Sequence, residues 1–427
     1  MKKLFKKEHF LLLLCVVVFI FVRSVYFTQH LNFSDDQGIQ ATDILQDYRM
    51  HKIPLIGNRA SSPNYQGHFI YQGPAYYYMY FPFLLLTNFE PISSSYLFML
   101  FCAVMVIPLY YGVKLLLDKK SAILMVIIYS LLPYYVAYTR FHWNPNYQLS
   151  LLPILLLLMG LYKKHAYKSQ KLFILIAIFL GILFQFHYQF IFVIGGIAFY
   201  YFVIKRISPL LLIHFFVGLA IGFSPLILFE LKHDFYHIRT FLLFYQHRTE
   251  LNSAGNIYTP HYYLSISFML LVVLLGVIKN KLSKGKNFIV LSGVLAVVLF
   301  SWTAINNFHK PQQSYWSPAP FWSYPDEFKA YQIIQSQHLK DYNVANLAYY
   351  NTEAYVIKYL LKRDNVTINY DDYYHNTYLF VVKKSNSNVY DTMSYEVAFF
   401  KPSKILKKWP LNDHYTIYLL EREKTQQ

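Results

Sequence analysis

The sequence predicts a polytopic α-helical membrane protein ending in a small water-facing α/β domain. Three observations predict this. Apolar runs such as residues 11–21 and 149–158 recur along the first 303 residues. Of the 427 residues, 56% are apolar and only 14% charged. Twelve of the 22 Asp and Glu follow Pro325, leaving Asp118 as the sole acid between Pro91 and Phe229. About 20 apolar residues cross the roughly 30 Å of a bilayer interior, so most of this chain has lipid as its solvent. The composition excludes a disordered chain and argues against an ordinary soluble enzyme. Cys15 and Cys102 both lie inside apolar runs and imply no disulfide framework.

The first run has a basic flank but no small-x-small cleavage site, and reads as an uncleaved span. Five basic clusters then fix the orientation. They are Lys2, Lys3, Lys6 and Lys7; Lys114, Lys119 and Lys120; Lys163, Lys164, Lys168 and Lys171; Lys205 and Arg206; and Lys279, Lys281, Lys284 and Lys286. Placing all five inside gives about nine spans: 10–28, 96–117, 121–139, 147–162, 171–187, 189–204, 208–229, 264–279 and 287–303. The protein is then a multi-pass cell-membrane protein with a cytoplasmic amino terminus. Residues 75–89, with Pro82 and the tyrosines 76, 77, 78 and 80, are expected as an interfacial or re-entrant helix instead of a tenth span.

Residues 1–303 form the expected transmembrane module, with a first external loop over 30–74. Residues 304–427 form an extracytoplasmic α/β domain, near neutral in charge. In it, 327–339 and 352–363 have helical periodicity. Residues 343–350, 366–370, 378–383 and 415–420 are β-prone.

Three loops face outward in this topology: 30–74, 140–146 and 230–263. The first opens with Ser34-Asp35-Asp36-Gln37-Gly38. Two adjacent carboxylates at a membrane surface repel and are partly desolvated, so at least one has a raised pKa and suits a general base. The competing role is capping of a helix that begins near Ile39. Glycines and prolines between Pro54 and Pro74 mark ordered turns, with Arg59 and Tyr71 as candidate substrate contacts. The second loop offers Arg140 for a phosphate and His142, Trp143 and Asn144 for sugar hydroxyls. The third offers Lys232, Arg239 and Arg248 to a departing phosphate. His233 and His237 lack an evident third metal ligand, and no metal site is assigned. No phosphate-cradling glycine loop is present, and Asp371-Asp372 is a poor nucleotide-sugar signal, so an activated sugar has to arrive in the membrane.

The order of a first span, Ser34-Asp35-Asp36-Gln37-Gly38, a long loop ending in Gln72-Gly73-Pro74-Ala75-Tyr76-Tyr77-Tyr78, and then Arg140-x-x-Trp143-Asn144-Pro145 resembles the GT-C glycosyltransferases. Within them it looks most like the bacterial relatives of protein O-mannosyltransferases and of the lipid A aminoarabinose transferase, over roughly residues 1–260. The resemblance implies inverting sugar transfer from a polyprenyl-phosphate donor on the extracytoplasmic face. The acceptor is a glycan, lipid or protein, the surroundings are membrane lipids, and no nucleic acid takes part. It maps the acidic pair onto Asp35, the better candidate base, and Asp36, and assigns donor phosphate contact to Arg140. Many relatives carry an acid where this chain reads Asn144-Pro145-Asn146. That departure disfavours a divalent metal, and no cofactor is assigned.

Two other classes stay open. A transporter or flippase of lipid-linked saccharides requires ionisable groups at mid-membrane. A glycan polymerase or ligase of another fold relies on arginines in a late loop, for which 230–263 has the length. A plain membrane anchor leaves the elaborate first loop without a purpose.

Overall fold

The computed structural model describes residues 2–60, 65–247, 260–284, 288–309, 319–348, 351–366, 368, 370 and 372–423. The chain forms two compact units. One comprises Met1–Val25, Lys52–Leu86 and Tyr96–Asn306; the other comprises Tyr26–His51, Thr87–Ser95 and Asn307–Gln427. The long carboxyl-terminal segment of the second unit begins at Asn307. The second unit also takes in segments expected to belong wholly to the membrane module.

In chain order the helices begin with α1 (Lys2–Ser24), α2 (Asp35–Arg49), α3 (Ala75–Leu86), α4 (Pro91–Val104), α5 (Val106–Leu116) and α6 (Lys119–Leu131). They continue with α7 (Pro133–Tyr138), α8 (Asn144–Lys164), α9 (Gln170–Phe186), α10 (Ile191–Phe199), α11 (Leu211–Gly222) and α12 (Ser224–Lys232). After these come α13 (Tyr236–Gln246), α14 (Leu264–Lys284) and α15 (Phe288–Asn307), and then α16 (Tyr324–Ser336), α17 (Tyr355–Arg363) and α18 (Tyr395–Ala398).

Four helical stretches among the described residues are long and apolar enough to cross a membrane: Pro91–Leu116, Asn144–Lys164, His261–Asn280 and Phe288–Asn307. The pair α11 and α12 passes the same test only when taken together, bent by 70° as a broken span or a re-entrant loop. Proline redraws two expected spans. Pro133 holds Leu132 extended (φ −68°, ψ 123°) and splits 121–139 into α6 and α7. Pro225, in the first turn of α12, stands at the bend within 208–229. Residues 75–86 form a helix in which Tyr76, Tyr77 and Tyr80 are buried.

Glycine sets how closely these helices pack. A Cβ on Gly112 of α5 would lie 2.6 Å from the Leu157 backbone nitrogen of α8. One on Gly181 of α9 would lie 2.7 Å from the Leu219 carbonyl oxygen of α11, whose own Gly218 and Gly222 face α9. Small residues four apart let backbones touch where lipid supplies no hydrophobic drive between helices.

One end of this unit is basic. Lys114 lies 2.5 Å from Glu8 of α1, and Lys119 is 4.0 Å from the same carboxylate. The Lys163 ammonium donates to the Leu116 carbonyl and lies within electrostatic reach of Lys205 and Lys279. Lysines from four of the five clusters therefore share the end where α1 begins.

The second unit carries a four-stranded sheet. Its strands are β1 (Tyr342–Asn346), β2 (Tyr378–Lys384), β3 (Ser403–Pro410) and β4 (Tyr415–Arg422), in the order β1-β2-β4-β3. β1 runs parallel to β2, and the other pairs are antiparallel. The core gathers Ala345, Leu379, Val381, Val397, Phe400 and Leu420. β3 escapes the sequence pattern because it is an exposed edge carrying Lys404, Lys407 and Lys408, charges that discourage further pairing. The β-prone stretch 366–370 forms no strand at its described positions. α2 packs on α17 through Gly38, where a Cβ would sit 3.1 Å from the Tyr355 carbonyl carbon.

Candidate functional site

α2 starts at Asp35 itself, and neither aspartate caps it. The N-cap is Ser34, whose backbone N–H donates to Gln37 Oε1 at 3.1 Å and whose hydroxyl donates to the same oxygen at 2.9 Å. Asp35 and Asp36 thus occupy the first helical turn, with Asp36 exposed and Asp35 half-buried. Asp35 Oδ1 is buried with no hydrogen-bond partner among the described residues. Burial, then the neighbouring charges of Asp36 and Glu353, push its carboxyl up to about 7. The direction is the one two adjacent carboxylates imply. Glu353 is the member that sequence reading missed. It lies in the connection before α17, and only the packing of α2 on that helix brings it near Asp35. The Tyr355 hydroxyl hydrogen-bonds to Glu353 and Asn351 and is itself an electrostatic neighbour of Asp35. The arrangement is a carboxyl poised to exchange a proton near neutrality, beside two further acids and a phenol.

In the first unit the residues around Asn144 hold a loop in place. Asn144 Nδ2 donates to Asn58 Oδ1 at 2.7 Å and to Gln72 Oε1. Gly57 N–H donates to the Gln72 carbonyl at 2.7 Å, and Gly73 N–H to the Gln185 carbonyl of α9 at 3.0 Å. A Cβ on Gly73 would come within 2.5 Å of the Gln185 side chain, so this approach requires glycine. Gln185 carried no sequence signal, since one amide in an apolar helix looks like any other tolerated polar residue. His142 is buried, bonded through Nδ1 to the Tyr147 hydroxyl at 2.7 Å and stacked on Tyr80 at 3.9 Å between ring centroids. Trp143 is half-buried, 4.3 Å from the His261 ring.

Arg140 is buried. Its Nε donates to the Arg23 carbonyl at 3.1 Å and its Nη2 to the Val22 carbonyl at 3.0 Å. These are carbonyls at the end of α1, which have no partner within the helix. Arg23 reciprocates, donating to Thr139 Oγ1 at 2.6 Å and to the Ser130 carbonyl at 2.8 Å.

The remaining cations are more accessible. Lys232 is exposed at the end of α12. Arg239 is exposed, 3.7 Å from Asp234, with Nη2 donating to the His233 carbonyl at 3.1 Å. Arg248 lies outside the described residues. Arg59 is exposed, its guanidinium 3.2 Å from the centroid of the Phe69 ring. The Tyr71 N–H donates to His237 Nε2 at 3.1 Å, while His237 Nδ1 lies 2.6 Å from Glu230 Oε1, so both nitrogens of this ring are engaged. Among the described residues no three His, Cys, Asp or Glu are grouped to hold a metal ion.

Residues 71–229 match the family described as dolichyl-phosphate-mannose-protein mannosyltransferase. The match covers α3 to α12 apart from the end of α12. It includes Tyr71, Arg140, His142, Trp143 and Asn144 and leaves out Asp35, Asp36 and Arg239. No curated protein and no solved structure matches the chain. The apolar helices together with this match support a membrane glycosyltransferase of the GT-C type, mannosyltransferase-like in the matched central segment.

Proposed function

We propose that this chain moves a sugar from a polyprenyl-phosphate donor to an acceptor hydroxyl on the extracytoplasmic face, with Asp35 as general base. The observation that carries the reading is the Asp35 carboxyl, pushed up to about 7, with one buried oxygen that accepts no hydrogen bond among the described residues. A base with a pKa near the working pH combines a useful fraction of the ionised form with a real affinity for the proton. In the proposed step Asp35 takes the hydroxyl proton as the acceptor oxygen attacks the anomeric carbon. The bond from that carbon to the phosphate oxygen breaks, the configuration inverts, and the polyprenyl phosphate leaves with the electron pair. Lys232 and Arg239 are the cations proposed to meet the phosphate. Arg140 has the positioning role, because its guanidinium is engaged with α1 carbonyls.

Sugar transfer from radiolabelled polyprenyl-phosphate donors, with purified wild type and Asp35→Asn, tests this. Transfer lost in the variant while donor binding persists supports the reading. Full transfer in the variant removes Asp35 from the chemistry. Donor binding by the wild type without turnover of any donor overturns the transferase reaction proposed for it.

A further inference from the structure

At the lysine-rich end of the first unit, α5, α8, α10, residues 200–204 and α14 enclose a groove of about 510 Å³. Its walls are apolar: Leu156 and Met159 from α8, Phe192 and Ile197 from α10, and Met269 and Val273 from α14. Phe192 and Val273 are largely exposed, 70% and 60%, so the groove opens sideways toward what a membrane would supply. Such a space in a lipid-facing wall suits a hydrocarbon chain.

Its basic end decides which lipid. Leu116, Ile204 and Val277 line that end. Each leads to a lysine: Lys163 donates to the Leu116 carbonyl, Lys205 directly follows Ile204, and Lys279 comes two residues after Val277. Lys205 also sits 5.5 Å from the Tyr200 ring centroid, over a residue of the groove wall. Lys163 feels both other cations. None of the elements lining the groove contains an Asp or Glu. The nearby carboxylate of Glu8 pairs with Lys114 and Lys119, and among the described residues none pairs with these three lysines. An ammonium group within electrostatic reach of two others, beside an apolar slot, calls for an anion carried on a hydrocarbon tail.

We propose that this groove is a binding site for an anionic glycerophospholipid from the leaflet at the lysine-rich end, with an acyl chain in the slot and the phosphate between Lys163, Lys205 and Lys279. The proposal does not rest on the sugar-transfer chemistry.

The test is native mass spectrometry of the full chain released from detergent after equilibration with phosphatidylglycerol, phosphatidylcholine or undecaprenyl phosphate. Wild type retains phosphatidylglycerol over phosphatidylcholine by about tenfold, equivalent to about 1.4 kcal/mol shared among the three lysines. The double variant Lys205→Gln/Lys279→Gln brings the two lipids close to parity. Gly196→Phe reduces retention of both, because Gly196 lines the groove and a Cβ there meets nothing within 4 Å, so the ring occupies the slot. Parity in wild type, a preference that survives the lysine changes, or retention unaltered by Gly196→Phe would each overturn the site. Displacement of phosphatidylglycerol by an equal amount of undecaprenyl phosphate would assign the groove to an isoprenoid lipid and overturn the phospholipid proposal.

Discussion

Arg140 Nε donates to the backbone carbonyl of Arg23 at 3.1 Å, while Arg23 Nη1 donates to the carbonyl of Ser130 at 2.8 Å. Two buried guanidinium groups thus close helix ends in opposite directions, α1 by Arg140 and α6 by Arg23. Each cation meets the partial negative charge of a helix carboxyl terminus. Replacing Arg140 by Gln strips donors from these buried carbonyls. The expected loss is about 3 kcal/mol of stability, seen as a lower unfolding midpoint in detergent. Arg140→Lys recovers only part of it, since an ammonium cannot fork between two carbonyls. An unchanged midpoint with weakened donor binding would return Arg140 to the phosphate.

Asp35 makes a pH-dependent prediction with a definite sign. Its folded pKa, about 7, is above the ordinary 3.8, so the folded state holds the proton more tightly than the unfolded chain does. The contribution to stability is therefore fully present below the unfolded value and is lost as pH rises toward 7. Asp35→Asn, which stays neutral, gains in relative unfolding midpoint as pH goes from 4 to 8. Wild-type transfer rises through a limb near pH 7 that the variant lacks. A midpoint difference independent of pH would remove the perturbed carboxyl.

Gly181 sits where α9 and α11 touch. Gly181→Val places a branched side chain against the Leu219 carbonyl, 2.7 Å from its first carbon. Overpacking at such a contact costs about 1–3 kcal/mol, more where backbone cannot yield. The variant is expected to lose monodisperse protein in gel filtration, whereas Gly195→Ala, in open space, is expected to keep it.

Asn144→Ala leaves Asn58 and Gln72 without the amide that ties them to α8. Unmet buried hydrogen bonds cost about 1–3 kcal/mol, here borne locally. Hydrogen exchange over residues 52–60 and 65–74 accelerates while α8 and α9 keep wild-type protection. Uniform loss of protection across the first unit would mean that Asn144 supports more than the loop.

Helix formation in the first unit was legible because apolar runs declare themselves without knowledge of neighbours. Where those helices break was less so. Pro133 and Pro225 stand in plain view, yet a proline inside an apolar run marks either a tolerated kink or a break, and packing decides which. The Asp35-Asp36 pair is legible as chemistry, and Ser34-x-x-Gln37 carries a capping signal of its own. Glu353 and Gln185 were illegible, because each acquires its meaning from a partner on a distant segment. The edge strand β3 hid behind its lysines.

The sequence by itself determined the apolar helical class, the basic clusters between alternate runs, and the presence of an acidic pair after the first run. Those properties follow from transfer free energy and local charge, which each residue carries with it. Tertiary structure decided which unit α2 joins, which aspartate loses its water, and that Arg140 faces helix carbonyls. Desolvation and hydrogen-bond partnership belong to pairs of surfaces, and a pair exists only once the chain has folded.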